Sequence, residues 1–313
     1  MSDLRQGGAR PAAHAVLPYG GTDEFVAGAL GFLGAGLDED EPALVSAPGP
    51  EIGLLRAHLD GRAHLVDWTD ISEVGGNPGR IIPLVDAFVS AHAGRPVRYV
   101  QGLVWAARTA AEQTEAIRHE ALINLAFAAA PVRILCTYDS ARVPVSVIKS
   151  AMATHPLLMR DGHAAPSSAY DPRTVFPQEH DQPLPRPPAD APTLAYRADL
   201  ASPRAYAARR ASSIGLAPAR VVDLVLAVGE LTANTLRHTS AGGVLAIWAS
   251  GSELLCQLQD TGHITDPLAG RRLPDPGAHR GHGLWIVHQL CDLVELRSGP
   301  GSTVIRLHMR LGL

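Results

Sequence analysis

The stretch VDLVLAVGELTANTLRH, residues 222–238, repeats apolar side chains at the spacing of an α-helix with one buried face. The apolar positions are Val222, Leu224, Val225, Leu226, Val228 and Leu231. Because no proline interrupts the stretch, the pattern predicts a helix. Glu230, Asn234 and His238 follow one another at intervals of four residues, so they project from one side of this helix near its C-terminal end. Such a polar stripe on an otherwise apolar helix needs an explanation.

Length and charge bound what the whole chain can do. Its 313 residues suffice for about two domains, and a hydrophobic content of 46% suffices for buried cores. The 27 basic and 31 acidic residues give a net charge of -4, which disfavours direct binding of nucleic acid or of anionic membranes. No apolar run approaches the roughly 20 residues of a membrane span, and the first residues lack a signal-peptide core. The sequence therefore predicts a soluble, cytoplasmic protein.

The basic residues restrict the ways in which a nucleotide could be bound. Lys149 is the only lysine, and it stands in VIKSAM without a glycine loop beside it. A P-loop and a eukaryotic-type kinase site both need a lysine in a defined setting, so both are excluded. The loop APGPEIG, residues 47–53, has glycines but no Gly-Lys-Ser/Thr, which favours an ordinary strand-to-helix turn. Any nucleotide must therefore be held without such a lysine.

The three cysteines predict neither a zinc knuckle nor a disulfide framework. Cys136, Cys256 and Cys291 lie far apart, in the apolar contexts RILCTY, ELLCQL and HQLCDL, and no CxxC pair exists. We expect them to act as small buried hydrophobic residues.

Short apolar runs alternate with helical patterns in the first half. Strands are predicted over residues 14–17, 43–47, 64–67, 97–100 and 132–137, and helices over 23–35, 51–59, 80–93 and 109–129. This alternation is typical of a mostly parallel sheet covered by helices.

Polar residues in this half leave several interpretations open. His119 and Glu120, followed by Asn124, resemble the phospho-acceptor box of two-component histidine kinases, although a helical histidine is more often packed or solvated. His14 and Tyr19, at the first strand, could line a ligand pocket or serve packing alone.

Three segments of the first half resemble the MEDS sensory domain of bacterial regulators. They are HAVLPYGGTDEFVAGALGFLGAGLDEDEPALV (14–45), GLVWAARTAAEQTEAIRHEALINLAFAAAPVRILCTYD (102–139) and THPLL (154–158). The resemblance covers about residues 10–175, and RHEALIN and CTYD carry most of it. It implies a RecA-like α/β module without ATPase activity that perceives a small molecule, hydrocarbon derivatives among them. It also weakens the histidine-kinase interpretation of His119.

Residues 176–193 are rich in proline and poor in large apolar groups. Such a segment tends towards an extended, semi-rigid form, and we place the linker between two domains there.

The second half predicts an α+β domain over residues 194–313. Strands are expected at 194–198, 244–249, 253–260 and 304–311, and helices at 203–214 and from Pro218 through the opening stretch. An apolar helical run, LWIVHQLCDLVEL, covers 284–296. Residues 263–280 show no periodicity, and a long loop of this kind is usually functional.

Four short motifs in this half follow one another in a recognisable order. Their members are Glu230 with Asn234, Asp260-Thr261-Gly262, Gly281-His282-Gly283, and Gly301-Ser302-Thr303. Together they resemble the N, G1 and G2 boxes of the GHKL ATPase superfamily, whose domain is the Bergerat fold. GHGLWIVHQLCD (281–292) is similar to the version found in anti-sigma-factor serine kinases and related actinobacterial regulators. One departure is Ile264, which stands where the family usually has a second glycine.

The resemblance implies a site for ATP and Mg²⁺. Glu230 would be the catalytic base and Asn234 the Mg²⁺ ligand, since an amide oxygen suits the octahedral shell of Mg²⁺. Asp260 would accept a hydrogen bond from the adenine amino group. The remaining nucleotide-binding residues implied are Gly262, Ile264, Gly281, Gly283, Leu284 and Thr303. For His238, contact with the nucleotide and a packing role are left open.

The leading hypothesis is a cytoplasmic signalling regulator in which a ligand-sensing domain controls a serine/threonine kinase of the anti-sigma-factor type. Its partners would be an anti-sigma-factor antagonist or a sigma factor, and a homodimer is left open. A second hypothesis is an ATP-dependent partner-binding module without phosphoryl transfer. A third, a sensor histidine kinase, predicts phosphorylation of His119.

Overall fold

The structure is a computed structural model that describes residues 13–74, 76–105, 107–160, 162–175, 182–274, 277 and 281–312. The chain divides into two compact units. One unit contains residues 1–74 and 84–175, and the other contains residues 75–83 and 176–313.

The N-terminal unit is built on a seven-stranded sheet. Its strands are β1 Ala13–Tyr19, β2 Ala43–Ala47, β3 Val66–Asp70, β4 Val97–Gln101, β5 Val132–Asp139, β6 Leu157–Arg160 and β7 His163–Pro166. The strand order is β3-β2-β4-β5-β1-β6-β7, and every neighbouring pair is parallel except β6 with β7. The predicted parallel sheet is therefore confirmed, whereas β6 and β7 had no counterpart in the sequence prediction.

Helices follow the parallel strands along the chain. They are α1 Thr22–Leu37, α2 Gly49–His58, α3 Ile71–Val74, α4 Ile81–Ala91, α5 Ala110–Ala126 and α6 Val145–Thr154. α5 begins at a capping box, because Thr109 accepts a hydrogen bond from the Glu112 amide and Glu112 accepts one from the Thr109 amide. α2 starts directly after β2, so residues 47–53 form the expected strand-to-helix turn.

The C-terminal unit is an antiparallel sheet with helices packed against it. Its strands are β8 Thr193–Tyr196, β9 Gly243–Ser250, β10 Glu253–Asp260, β11 Leu293–Gly299 and β12 Ser302–Arg310. Its helices are α7 Ala201–Ile214, α8 Pro218–His238 and α9 Gly283–Leu290. The strand order is β11-β12-β10-β9-β8, and each neighbouring pair is antiparallel.

The prediction of one helical run over 284–296 is wrong in its second half. α9 ends at Leu290, Cys291 has an extended backbone, and β11 then pairs with β12. An apolar run of this length does not distinguish a helix followed by a buried strand from a single helix, because both bury the same residue types.

α8 buries a narrower face than its sequence suggested. Its large fully buried core residues are Leu224, Val228 and Leu231. Val222 is 67% exposed and Leu226 is 45% exposed, so these two predicted core positions lie on the solvent side.

Two of the three cysteines match their predicted role. Cys256 and Cys291 are fully buried within the apolar core of the C-terminal unit. Cys136 is also buried, but it lies among polar groups, with His14 Nε2 at 3.2 Å and Glu120 Oε2 at 3.1 Å from its sulfur. The expectation of apolar surroundings is therefore wrong for Cys136.

The described part of the proline-rich segment lies against the C-terminal sheet. The guanidinium of Arg306 donates to the carbonyl of Pro185, and Arg297 Nε donates to the carbonyl of Gln182 at 3.2 Å. Ala191 packs against Trp248 on the same sheet. Residues 176–181 of the predicted linker lie outside the described residues.

None of the helices in the described ranges has the length and apolarity needed to cross a membrane.

Leu224→Ala and Leu226→Ala give a matched test of which face of α8 is buried. Leu224→Ala should destabilise the C-terminal unit by about 2–5 kcal/mol, because it opens a cavity in the core. Leu226→Ala should change the free energy of unfolding by less than about 0.5 kcal/mol, because its side chain is half exposed. Denaturant unfolding followed by circular dichroism measures both, and equal losses would contradict the observed orientation.

Candidate functional site

The C-terminal unit contains a cavity of about 1030 Å³. Its lining includes every nucleotide-site residue expected from the sequence: Glu230, Asn234, Asp260, Gly262, Ile264, Gly281, Gly283, Leu284 and Thr303. These residues come from α8, the end of β10 and the loop that follows it, the start of α9, and β12. His238 lines the cavity as well. The fold therefore brings four motifs that are separated in sequence to one place.

The carboxylate of Asp260 is held in a fixed orientation at one wall of the cavity. Its Oδ2 accepts a hydrogen bond from the Thr235 hydroxyl at 2.6 Å, and its Oδ1 accepts one from the Gly262 amide at 2.8 Å. Thr235 in turn accepts from the Tyr196 hydroxyl at 3.0 Å. Burial raises the pKa of Tyr196 to about 12, so the phenol keeps its proton and remains a donor. This series of hydrogen bonds leaves further lone pairs of the Asp260 carboxylate available to a ligand.

The loop after β10 is fastened to the last two strands. Thr303 donates its hydroxyl proton to the carbonyl of Gly262 at 3.0 Å, and Ser298 Oγ lies 2.7 Å from Thr303 Oγ1. Ser298 also accepts from the amide of Ile264 at 2.7 Å. The resemblance in the sequence implied that Thr303 belongs to the nucleotide site, but the sequence did not identify Ser298, because β11 itself was not predicted.

The N-terminus of α9 faces the cavity and approaches α8 closely. A Cβ atom added to Gly283 would lie 2.8 Å from Glu230 Oε2 and 3.4 Å from the side-chain nitrogen of Asn234, so only glycine fits without movement. Gly281 has a φ of 95°, in the left-handed region that favours glycine. His282 does not cap the helix with its side chain. The first amides of α9 therefore lack intrahelical acceptors and, with the helix dipole, suit an anion.

Glu230 and Asn234 lie one turn apart on α8, both half-buried at the cavity. Among the described residues, Glu230 makes no hydrogen bond or ion pair. Asn234 Oδ1 accepts a hydrogen bond from Arg237 at 3.1 Å, which leaves the side-chain nitrogen on the Gly283 side. Since the two ends of a carboxamide exchange by a half-turn of the side chain, the oxygen can also be directed at that side.

The cavity also contains basic residues that the sequence analysis did not single out. Arg237 and Arg272 both line it. Guanidinium groups are suited to phosphate oxygens, so the lack of a suitably placed lysine does not leave the cavity without cationic side chains.

The histidine considered as a phospho-acceptor has a different environment. His119 is 0% exposed, and its Nε2 lies 3.2 Å from Gln101 Oε1 within the N-terminal unit. A phosphoryl donor could not reach this imidazole without opening the core around α5.

Two family profiles match the chain, one in each half. Residues 13–156 match the family described as MEDS, the "MEthanogen/methylotroph, DcmR Sensory domain". Residues 194–309 match the family described as "Histidine kinase-like ATPase domain". Residues 13–156 are thus similar to a MEDS domain and residues 194–309 to a histidine kinase-like ATPase domain, in line with the two resemblances in the sequence.

Comparison with solved structures finds distant neighbours. The RsbU and RsbW domains of Rv1364c from Mycobacterium tuberculosis share 21% identity over 38% of this chain and 32% of that chain, with a TM-score of 0.29. The Acinetobacter baumannii histidine kinase AdeS shares 11% identity over 39% of this chain and 69% of that chain, with a TM-score of 0.25. The chain thus spans about a third of the length of the first neighbour. No curated protein matches.

The hydrogen bond between Thr235 and Asp260 can be tested against a neighbouring threonine. Thr235→Val should destabilise the C-terminal unit by about 1–3 kcal/mol, because it removes a donor to a carboxylate and leaves the Tyr196 hydroxyl without its acceptor. Thr232→Val is the control, since the Thr232 hydroxyl donates only to helix carbonyls of Val228 and Gly229. Thermal melts of both variants should show a loss for Thr235→Val alone, and equal melting temperatures would contradict the role assigned to the bond.

Proposed function

We propose that the C-terminal unit binds Mg²⁺ and ATP in this cavity, and that the protein is a signalling regulator with serine/threonine kinase activity of the anti-sigma-factor type. The observation that carries the proposal is the convergence of all nine sequence-derived residues on one cavity around a fixed carboxylate. The match of residues 194–309 to a histidine kinase-like ATPase family supports it.

One end of the cavity suits the adenine base, and the other end suits the phosphates. Asp260 is oriented by Thr235 and Gly262, so its free lone pairs can accept the adenine amino protons. Ile264 and Leu284 offer apolar surface to the base, and Ile264 takes that role in place of the family's usual glycine. At the other end, the uncapped start of α9 and the arginines of the lining can hold phosphate oxygens.

The groups required for a cation fit as well. The carboxamide oxygen of Asn234 is a hard ligand of the kind that Mg²⁺ takes, and the cation would complete its shell with phosphate oxygens and water. Asn234 lies beside Gly283 at the helix N-terminus, where the phosphates are placed by this proposal.

Glu230 is positioned to act as a base. A bound ATP would supply a terminal phosphoryl group, whose transfer to a serine or threonine hydroxyl requires that hydroxyl to lose its proton. Glu230 has a carboxylate free of protein partners among the described residues, and it stands one turn from Asn234 at the cavity. It would take the hydroxyl proton, the seryl oxygen would bond to phosphorus, and ADP would leave. The substrate would be an anti-sigma-factor antagonist, and control would come from a small molecule bound by the MEDS domain.

Adenine recognition can be tested by two matched carboxamide substitutions. Asp260→Asn should weaken Mg-ATP binding at least about tenfold, because it removes a charge-assisted hydrogen bond and disturbs the contacts to Thr235 and Gly262. Asp266→Asn is the control, since Asp266 lines the same cavity but bonds only to the Leu268 amide, which an asparagine oxygen can also accept. Calorimetry of the full chain with a non-hydrolysable ATP analogue gives both affinities. A folded wild-type chain that binds no analogue would contradict the proposed function.

Phosphoryl transfer is tested by the isosteric change Glu230→Gln. This variant should bind the ATP analogue within about threefold of wild type and should lose serine or threonine phosphorylation by at least about a hundredfold, because the base is missing. The assay measures transfer of labelled phosphate to a purified anti-sigma-factor antagonist. If wild type binds that partner in an ATP-dependent way but transfers no phosphate, the protein is the partner-binding module instead. Label on His119 of the wild type would indicate the histidine kinase.

A further inference from the structure

Four side chains of types that ligate metals meet in the core of the N-terminal unit. They are His14 on β1, Glu120 on α5, Cys136 on β5 and His155 directly after α6, and all are buried. One ligand atom from each lies within 4.8 Å of every other. β1 pairs in parallel with β5, with Val16 opposite Cys136, so His14 and Cys136 project from the same face two residues apart along the ladder.

Two of the four measured separations fall within the range expected around a tetrahedral ion, and the two to Cys136 Sγ are shorter than that range. His14 Nε2 lies 3.2 Å from Cys136 Sγ and 3.4 Å from Glu120 Oε2. Glu120 Oε2 lies 3.1 Å from Cys136 Sγ and 3.5 Å from His155 Nε2. Ligands 2.0–2.3 Å from a zinc ion at tetrahedral angles are about 3.3–3.8 Å apart. Only small movements would therefore place all four around one ion.

In both imidazoles Nδ1 has a hydrogen-bond partner outside the cluster. This contact orients the ring so that Nε2 faces the cluster. Asn124 donates its amide protons to the carbonyls of Glu120, Ala121 and Thr154, so its oxygen faces His14 Nδ1 at 3.1 Å. Nδ1 of His14 must then carry a proton, and a neutral imidazole has its lone pair on Nε2.

His155 is arranged in the same way. Its Nδ1 lies 2.7 Å from the carbonyl of Ala151, an acceptor, so this nitrogen carries a proton. Its Nε2 is fully buried and makes no hydrogen bond within the described part of the chain. Second-shell contacts to the outer nitrogen of a histidine are the usual means of orienting it towards a metal.

Charge supports a cation at this position. Glu120 is 1% exposed, and neither arginine nor lysine contacts it among the described residues. Gln101 donates to its other oxygen, Oε1, at 2.8 Å. The Cys136 thiol donates to Oε2, so this buried carboxyl group has hydrogen-bond donors but no arginine or lysine beside it in the described part of the chain.

We propose that His14, Glu120, Cys136 and His155 form a buried site for a divalent transition metal, with Zn²⁺ as the best fit. Two imidazoles, a thiolate and a carboxylate are typical zinc ligands, whereas Mg²⁺ and Ca²⁺ prefer oxygen alone. One thiolate and one carboxylate balance the two charges of the ion. The Cys136 thiol gives up its proton to solvent as the metal–sulfur bond forms.

This site is independent of the proposed ATP site, because it lies in the other unit and shares no residue with it. It joins β1, β5, α5 and the end of α6, so bound metal would tie these four elements together. Because the site is fully buried, the metal would be acquired during folding and exchange slowly afterwards.

The test measures metal in the full-length protein. Wild type refolded with Zn²⁺ and passed over a desalting column should retain about one zinc per chain by elemental mass spectrometry. Refolding with Co²⁺ should give visible bands of a tetrahedral ion and a near-ultraviolet thiolate-to-cobalt band. Cys136→Ala should lose the thiolate band and at least about tenfold in metal affinity. Cys256→Ala, which removes a buried thiol from the apolar core of the other unit, should lose neither.

The outcomes distinguish a metal site from a metal-free network of hydrogen bonds among the same four side chains. A wild type that refolds fully with Zn²⁺ or Co²⁺ and retains neither metal would overturn the proposal, and so would retention of the thiolate band in Cys136→Ala. If Cys136→Ala fails to fold, Glu120→Gln and the wild-type result decide in its place, since Glu120→Gln should also reduce retention. Iron or cobalt in place of zinc, lost in the same variants, would support the site and change only the identity of the ion.

Discussion

The C-terminal unit depends on helix α8, which must both pack on the sheet and present polar side chains to the cavity. One face must be apolar enough to pack on the antiparallel sheet, and Leu224, Val228 and Leu231 meet that need. A neighbouring stripe must keep Glu230 and Asn234 at a cavity. Thr235 connects the two demands, because its hydroxyl donates a hydrogen bond to Asp260, the last residue of β10. That hydrogen bond fixes the helix relative to the strand, and the geometry of the proposed site follows from it.

The two units use buried polar groups in different ways. In the C-terminal unit, Asp260 is held by hydrogen bonds to Thr235 and Gly262, and its remaining lone pairs face the cavity, while the Glu230 carboxylate has no hydrogen-bond partner among the described residues. Such an arrangement is suited to a ligand that binds reversibly. In the N-terminal unit, His14, Glu120, Cys136 and His155 are enclosed, and the atoms they direct at one another are mostly acceptors. That arrangement is suited to a permanently bound cation, so the proposed metal would have a structural role in this unit.

Much of the fold was predictable, and the failures have a common cause. Period and turn chemistry placed β1, β2, β4, β5 and α8 closely, because strands and helices of ordinary length differ in their hydrophobic spacing. The third strand was predicted over residues 64–67 but lies at Val66–Asp70, because residues 62–65 form a 3-10 turn. The run 284–296 failed because a helix and a buried strand share the same apolar composition. Val222 and Leu226 were assigned to the core because a helical pattern shows which residues are apolar without showing where the neighbouring sheet ends. Ser298 and Tyr196, which support the proposed site through hydrogen bonds, carry no local signal.

The sequence by itself determined the two-part organisation, the order of the motifs, and the residue types that a nucleotide without a P-loop lysine would need. Only the tertiary structure decided that those motifs share one cavity, and that a Cβ atom at Gly283 would lie 2.8 Å from Glu230 Oε2, so that a larger residue there would displace the Glu230 carboxylate. It alone decided that Cys136 belongs with two histidines and a glutamate rather than with apolar neighbours. The physical reason is that spacing along one element is local, whereas ligand geometry depends on the register between strands and the depth at which helices pack on them.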